Sequence, residues 1–392
     1  MWDGVVVVSE YTSALERDIV NMRGQHEELL RTGRQWSLRA MFSTPDWDIA
    51  DYCRDFRPNR FGAQACAEVE RFCRAHEIWL EPGGEHYNSM TPYLHPGAIC
   101  AERMTIIGLY NAILFWLNDT VGREKFGHLD RDEQRRARVA VDRLCSLLRT
   151  RSAPDDPTPL EAAASGFLAM LSALADPAWL DRFIESTIDH LRPAIQDQNA
   201  RTRGGLLSVA EYIDLRARVS GMYPAIALCE FGRDDYLPWD RIRRAGLGTD
   251  LCRLRVLTVE IGALMNDVFS FEKECIVDLA DFNLIPAVLL NQRGSSFGHA
   301  SSLQDAVHAA GEIVRARLAE FRQVGAATAE RCDLLGADEA ALAATVSTHI
   351  ADLVACVQAT WAWQITTLRY KGASIFTENG WGWTAHPYQQ WE

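Results

Sequence analysis

The sequence predicts an all-α protein, a single helical bundle around an apolar interior, and three observations lead there. Apolar residues recur three and four positions apart along most of the 392 residues, the spacing of one helix face. Strand signals are few, with the four valines at 5–8 as a candidate strand. The breaker segments between periodic stretches, at 81–84, 152–157, 232–240 and 292–302, are short, as expected when consecutive helices pack into one bundle.

In chain order, helices are predicted at 60–78, 97–118, 131–150, 159–175, 178–197, 207–230, 250–277, 303–322, 337–357 and 358–371. Residues 1–55 read as an N-terminal extension packed on the bundle and residues 56–376 as the bundle itself. Residues 377–392, rich in Trp, Gly, Pro and Tyr, read as an irregular C-terminal tail. No internal repeat and no low-complexity tract interrupts this order.

Composition narrows the possible functions. With 48% hydrophobic and 24% charged residues the chain is an ordinary globular protein, long enough to bury a core and still enclose a cavity. A net charge of −13 argues against nucleic acid as the main partner. The ten cysteines form no C-x-x-C pair, and Cys145, Cys229 and Cys356 sit in apolar helical stretches. Reduced buried thiols are therefore expected, not disulfides or zinc ligands. The first residues lack a basic region, and no segment reaches the ~18 consecutive apolar residues of a membrane span. A cytoplasmic protein without a membrane span is expected. The ten histidines form no H-x-x-x-H pair, so a zinc hydrolase is not supported.

The most informative segment is 266–274, Asn-Asp-Val-Phe-Ser-Phe-Glu-Lys-Glu. Asn266, Ser270 and Glu274 are four apart and share one stripe of a helix. Three oxygen-bearing side chains in a row suit Mg²⁺, which keeps some waters and takes other ligands from a substrate phosphate. Lys273 can meet the same phosphate as a point charge. The apolar run 256–265 places the stripe on a largely buried helix, where polar groups need partners.

This N-D-x-x-S-x-x-x-E pattern resembles the second metal motif of class I terpene synthases of the microbial cyclase branch, and the resemblance extends over roughly residues 60–375. Residues 113–124 resemble the family's aspartate-rich motif, D-D-x-x-D or D-D-x-x-x-E. Placing Asn118 first leaves Gly122 in the fifth position, which cannot ligate. Placing Asp119 first puts Glu124 sixth and keeps both carboxylates, so Asp119 and Glu124 are the expected ligands, although they lie about 140° apart around a helix. Trp363, Arg369 and Tyr370 resemble the W…R-Y end of the last long helix, where Arg and Tyr contact the diphosphate. The planar fork of Arg binds phosphate oxygens in pairs. Residues 211–221 resemble the diphosphate-sensing stretch Y-x-x-x-R-R-x-T-x-G. Aligned on Tyr212 and Gly221, the sensor position falls on Ala217, which leaves the flanking Arg216 and Arg218 as alternatives, with Gly221 where the helix breaks. Phe115, Trp116, Phe269, Tyr223 and Trp363 are candidates for a cavity wall whose π faces stabilise a carbocation, with core packing as the competing role.

The resemblance implies the class I terpenoid synthase α-bundle, three Mg²⁺ ions and a possible homodimer. It implies ionisation of an isoprenoid diphosphate, cyclisation to a terpene or terpene alcohol, and release of diphosphate. The absence of a second D-D-x-x-D points away from a chain-elongating isoprenyl diphosphate synthase, and the absence of D-x-D-D points away from a cyclase that starts by protonating an alkene. Chain length and extension favour a C20 diphosphate, linear or already cyclised, over C15. A helical scaffold with a degenerate site is the reading from another class. Asn118 and Gly122 support it and the intact 266–274 motif opposes it.

Overall fold

The computed structural model describes residues 3–81, 83–122, 126, 128–290 and 302–380, with side chains from residue 15 onward. Among the described residues, eleven helices are longer than ten residues. They are α1 (Asp3–Arg31), α2 (Gly62–Ala75), α3 (Ala101–Thr120), α4 (Arg131–Thr150), α5 (Pro159–Leu174), α6 (Pro177–Ala194), α7 (Val209–Val219), α8 (Met222–Arg233), α9 (Gly248–Phe271), α10 (Leu303–Asp333) and α11 (Ala340–Thr366). Among the described residues there is no strand, only isolated bridges such as Trp36 with Phe376. The candidate strand at 5–8 is part of α1; a lone β-branched run with no partner strand has nothing to pair its backbone with.

Local signals start several of these helices. Asp130 with Glu133, Thr158 with Glu161, and Ser208 with Glu211 form capping boxes at the starts of α4, α5 and α7. Each satisfies otherwise orphaned N–H groups. The expected helix at 303–322 runs on to Asp333, and three other differences shape the site. The stretch 207–230 is two helices, because Gly221 adopts φ +78° between them, a conformation only glycine takes without strain. The stretch 337–371 is one helix to Thr366 followed by a 3₁₀ turn, Leu368–Tyr370. The stretch 250–277 is α-helical to Phe271 and then a π-helical turn, Glu272–Val277.

Two buried clusters support the bundle. Leu254, Leu264, Phe269, Val314 and Trp361 belong to one, built largely on α9, α10 and α11. Val69, Ile107, Leu144, Phe167 and Trp179 belong to the other, on α2 to α6. The segment reaching α11, Ala337–Thr366, is long and apolar enough by composition to cross a membrane. Here α11 packs on α9 and α10, and its buried Asp352 accepts two hydrogen bonds of 2.8 Å from Arg233. All ten cysteines are free thiols.

The chain leaving the π-turn is tied down by a reciprocal pair: Asp281 N–H donates to Asn199 (2.8 Å) and Ala200 N–H donates to the Asp281 carboxyl (2.9 Å). Burial pushes the Asp281 carboxyl up to about 6, above the ordinary value of about 3.9. The folded state therefore favours the protonated acid. That contribution is complete below about pH 4 and is lost as pH rises through 6. Asp281→Asn keeps an acceptor for Ala200. It is expected to flatten the pH dependence of Tm between pH 4 and 7 and to raise Tm at pH 7, measured by thermal denaturation across that range.

Candidate active site

A cavity of about 180 Å³ lies between the two clusters, an order of magnitude more than a single buried water needs. Its wall comes from α3, α6, α7, α8, α9 and α11, with apolar residues such as Leu114, Phe115, Leu191 and Met222 through most of its depth. Asn118, Arg216, Asn266, Glu274, Arg369 and Tyr370 supply its polar part.

On α9 the stripe falls where the helix is most buried. Asp267 is fully buried, and Ser270 and Glu274 are 1% and 3% exposed. Asn266 donates to Tyr370 Oη (2.8 Å) and Gln364 Oε1 (3.1 Å), and its Oδ1 accepts from Arg216 (3.0 Å). Ser270 Oγ is buried without a hydrogen-bond partner among the described residues. Glu274 stands on the π-turn, so it leaves the plain i, i+8 stripe, and its carboxylate accepts from Asn283 Nδ2 at 3.2 Å. Lys273 pairs with Asp278 at 3.1 Å.

Helix phase places the two candidate arginines differently. Tyr212 and Arg216 are four apart on α7 and share its inward face. Both reach Asp267, Arg216 Nε at 2.7 Å and Tyr212 through its hydroxyl. Burial alone lowers the Arg216 pKa, but Asp267, Tyr212 and Glu274 more than offset it and raise it. Arg218, two residues on, points outward and pairs with Asp214 at 2.9 Å, its side chain 58% exposed. Only Arg216 of the two lines the cavity.

Opposite this stripe, α3 brings Asp119 to its last turn. Asp119 accepts hydrogen bonds from Asn118 (2.9 Å), from the Tyr87 hydroxyl and from Arg369 (3.4 Å). Tyr87 stacks on Phe115 at 4.6 Å and lies under the Arg369 guanidinium at 4.6 Å. The turn Leu368–Tyr370 thus spans the site: Arg369 meets Asp119 and Tyr370 meets Asn266. Burial raises the phenols of Tyr87 and Tyr370, which keeps both protonated. Glu124 lies outside the described residues. Gly122 cannot be a ligand position, since a Cβ there would sit 2.4 Å from Asn118 Cα.

Of the proposed wall aromatics, Phe115 and Trp363 line the cavity, and Trp363 Nε1 is anchored to Ser89 at 3.1 Å. The others do not. Phe269 is core, packed between Phe42 and Trp361. Trp116 packs against the α2–α6 cluster and Tyr223 against the other. Gly221 does line it, beside His190 and Leu114. Sequence reasoning missed Tyr87, Gln364, His190 and the pairing of Asp267. Tyr212 and Asp267 were visible within the motifs, but nothing local marked the others.

The family model for terpene synthase family 2, C-terminal metal binding, matches residues 109–320, more than half of the chain. The chain belongs to this terpene synthase family. Accordingly the protein is a terpene cyclase, a lyase acting on a prenyl diphosphate, and its matched domain is a metal-binding one. This terpene synthase is 25% identical over 276 residues to 7-epi-α-eudesmol synthase ((2E,6E)-farnesyl diphosphate cyclising) of Streptomyces viridochromogenes, covering 70% of this chain and 76% of that protein. It is 28% identical over 271 residues to (2Z,6E)-hedycaryol synthase of Kitasatospora setae, covering 69% and 74%. Its fold matches linalool/nerolidol synthase from Streptomyces clavuligerus, solved in complex with 2-fluorogeranyl diphosphate. The TM-score is 0.64 at 20% identity, with 80% of this chain and 97% of that one covered.

The donor set fits a hard divalent ion. Ser270 Oγ is a buried oxygen without a partner among the described residues, Glu274 is a buried carboxylate, and an amide oxygen such as Asn266 Oδ1 carries a second lone pair beyond the Arg216 bond.

Proposed function

We propose that this terpene synthase cyclises a C15 diphosphate of the farnesyl type to a cyclic terpene or terpene alcohol. Asn266, Ser270 and Glu274 would hold Mg²⁺ on one side and Asp119 on the other. The observation carrying this reading is the Arg369–Tyr370 turn, which touches both sides at the polar end of an apolar cavity. The relative named for farnesyl diphosphate supports C15 over the C20 substrate favoured by chain length. The extension adds no cavity either, since no described residue before Met90 lines it.

When bound, the metal supplies Lewis-acid stabilisation of the diphosphate oxygens. The chain's own groups do the rest. Arg369 and Arg216 neutralise the charge that grows on the leaving group as the C–O bond breaks. Tyr370, held by Asn266, keeps a hydroxyl proton for a diphosphate oxygen. Phe115 and Trp363 face the cation with their π systems, and the apolar wall keeps water from the cation until the last step.

The test is incubation of purified protein with Mg²⁺ and, separately, geranyl, farnesyl, geranylgeranyl and copalyl diphosphate, read by gas chromatography–mass spectrometry. A cyclic product from farnesyl diphosphate, lost with EDTA, is the expected result. Turnover of geranylgeranyl or copalyl diphosphate alone would refute the C15 reading.

A further inference from the structure

We propose that Arg23 of the N-terminal helix, together with Glu272, is a positioning residue of the metal site, which makes α1 a working part of it. This rests on the reading of Glu274 as a metal ligand. Glu274 does not sit on regular α-helix: the chain widens to a π-turn at Glu272–Val277. Such turns are rare and re-aim side chains at functional sites, and they need outside support.

That support comes from distant segments. Arg23 Nε donates to the Cys275 carbonyl at 3.2 Å. Helix termini leave such carbonyls without a partner, and here the chain turns away at Leu279, which adopts φ +62°. His26, 3% exposed, meets Glu272 Oε1 at 3.5 Å and lies edge-on to Phe271 at 6.1 Å. The same Glu272 carboxylate accepts from Ser374 Oγ (2.8 Å) and Ile375 N–H (2.7 Å), just beyond the Arg369–Tyr370 turn. Asn379 Nδ2 donates to the Phe269 carbonyl at 2.8 Å on the same helix. From inside, Asn283 bridges the Asp267 carbonyl (2.8 Å) and Glu274 (3.2 Å). The π-turn is therefore clamped between α1, the 374–379 segment and Asn283. Through Glu272, the element bearing Glu274 is joined to the segment that follows Arg369.

The experiment uses the full chain and inorganic diphosphate. Titration calorimetry gives the Mg²⁺ concentration at half-saturation of diphosphate binding for wild type, Arg23→Met, Arg23→Lys, Glu272→Gln and Glu274→Gln, with Tm recorded for each. Loss of a group that orients a ligand typically weakens metal binding ~10–100-fold. Arg23→Met and Glu272→Gln are expected to raise the half-saturating Mg²⁺ at least about tenfold while folded at the assay temperature, and Arg23→Lys to recover part of it. If Glu274→Gln impairs binding while folded Arg23→Met behaves as wild type, the positioning role is overturned and the metal reading stands. If Glu274→Gln itself binds as wild type, the metal reading fails. Should Glu272→Gln not fold, Arg23→Met decides the matter alone.

Discussion

Asn266→Ala is expected to lower kcat/KM for the diphosphate substrate by about 10²–10³, the size of losing one group that stabilises developing charge. The loss is not confined to the metal, because three neighbours lose their anchor together. Tyr370 Oη, Gln364 Oε1 and Arg216 all bond the Asn266 amide, at 2.8, 3.1 and 3.0 Å. Steady-state kinetics over a range of Mg²⁺ check it. The decline should appear in kcat as well as KM, and excess Mg²⁺ should restore little of it. A variant with wild-type kcat at saturating Mg²⁺ would remove Asn266 from the site.

Asp267→Ala is expected to be the most destabilising single change at the site, by about 3–5 kcal/mol. Asp267 is fully buried and Arg216 3% exposed, and their 2.7 Å contact is the direct ion pair between them. Removing the carboxylate leaves a buried guanidinium that cannot deprotonate and has lost its ion-pair partner. Tyr212 loses its acceptor at the same time. Denaturant unfolding, comparing midpoints at unchanged m, measures the change. Pairing it with Arg216→Met tests the cause. The double variant should be more stable than Asp267→Ala alone, because it removes the orphaned charge.

Much of this protein is legible in its amino-acid order. Periodicity gives the helices, and capping signals fix where α4, α5 and α7 begin. The 266–274 motif, with its spaced oxygens on an apolar helix, points to a hard cation before any fold is known. The 60–375 resemblance names the chemistry, and the match over 109–320 places the chain in that family. Less legible were the residues whose role depends on direction. Phe269 and Trp116 have the composition of cavity walls, yet Phe269 is core on α9 and Trp116, half-buried on α3, packs against the α2–α6 cluster. A two-residue step on a helix turns a side chain by about 200°, so Arg216 is buried on Asp267 while Arg218 faces solvent.

Fold class, metal-binding character and enzyme family are written in periodicity and motif spacing, local properties that a chain carries wherever it folds. Tertiary structure alone decided which arginine faces the cavity, how Tyr87 joins Asp119 to Arg369, and how the π-turn beneath Glu274 is held by Arg23 and Glu272. These contacts link residues from about thirty to 282 positions apart. Their partners are set by how helices rotate and pack against one another, and no local spacing encodes that rotation.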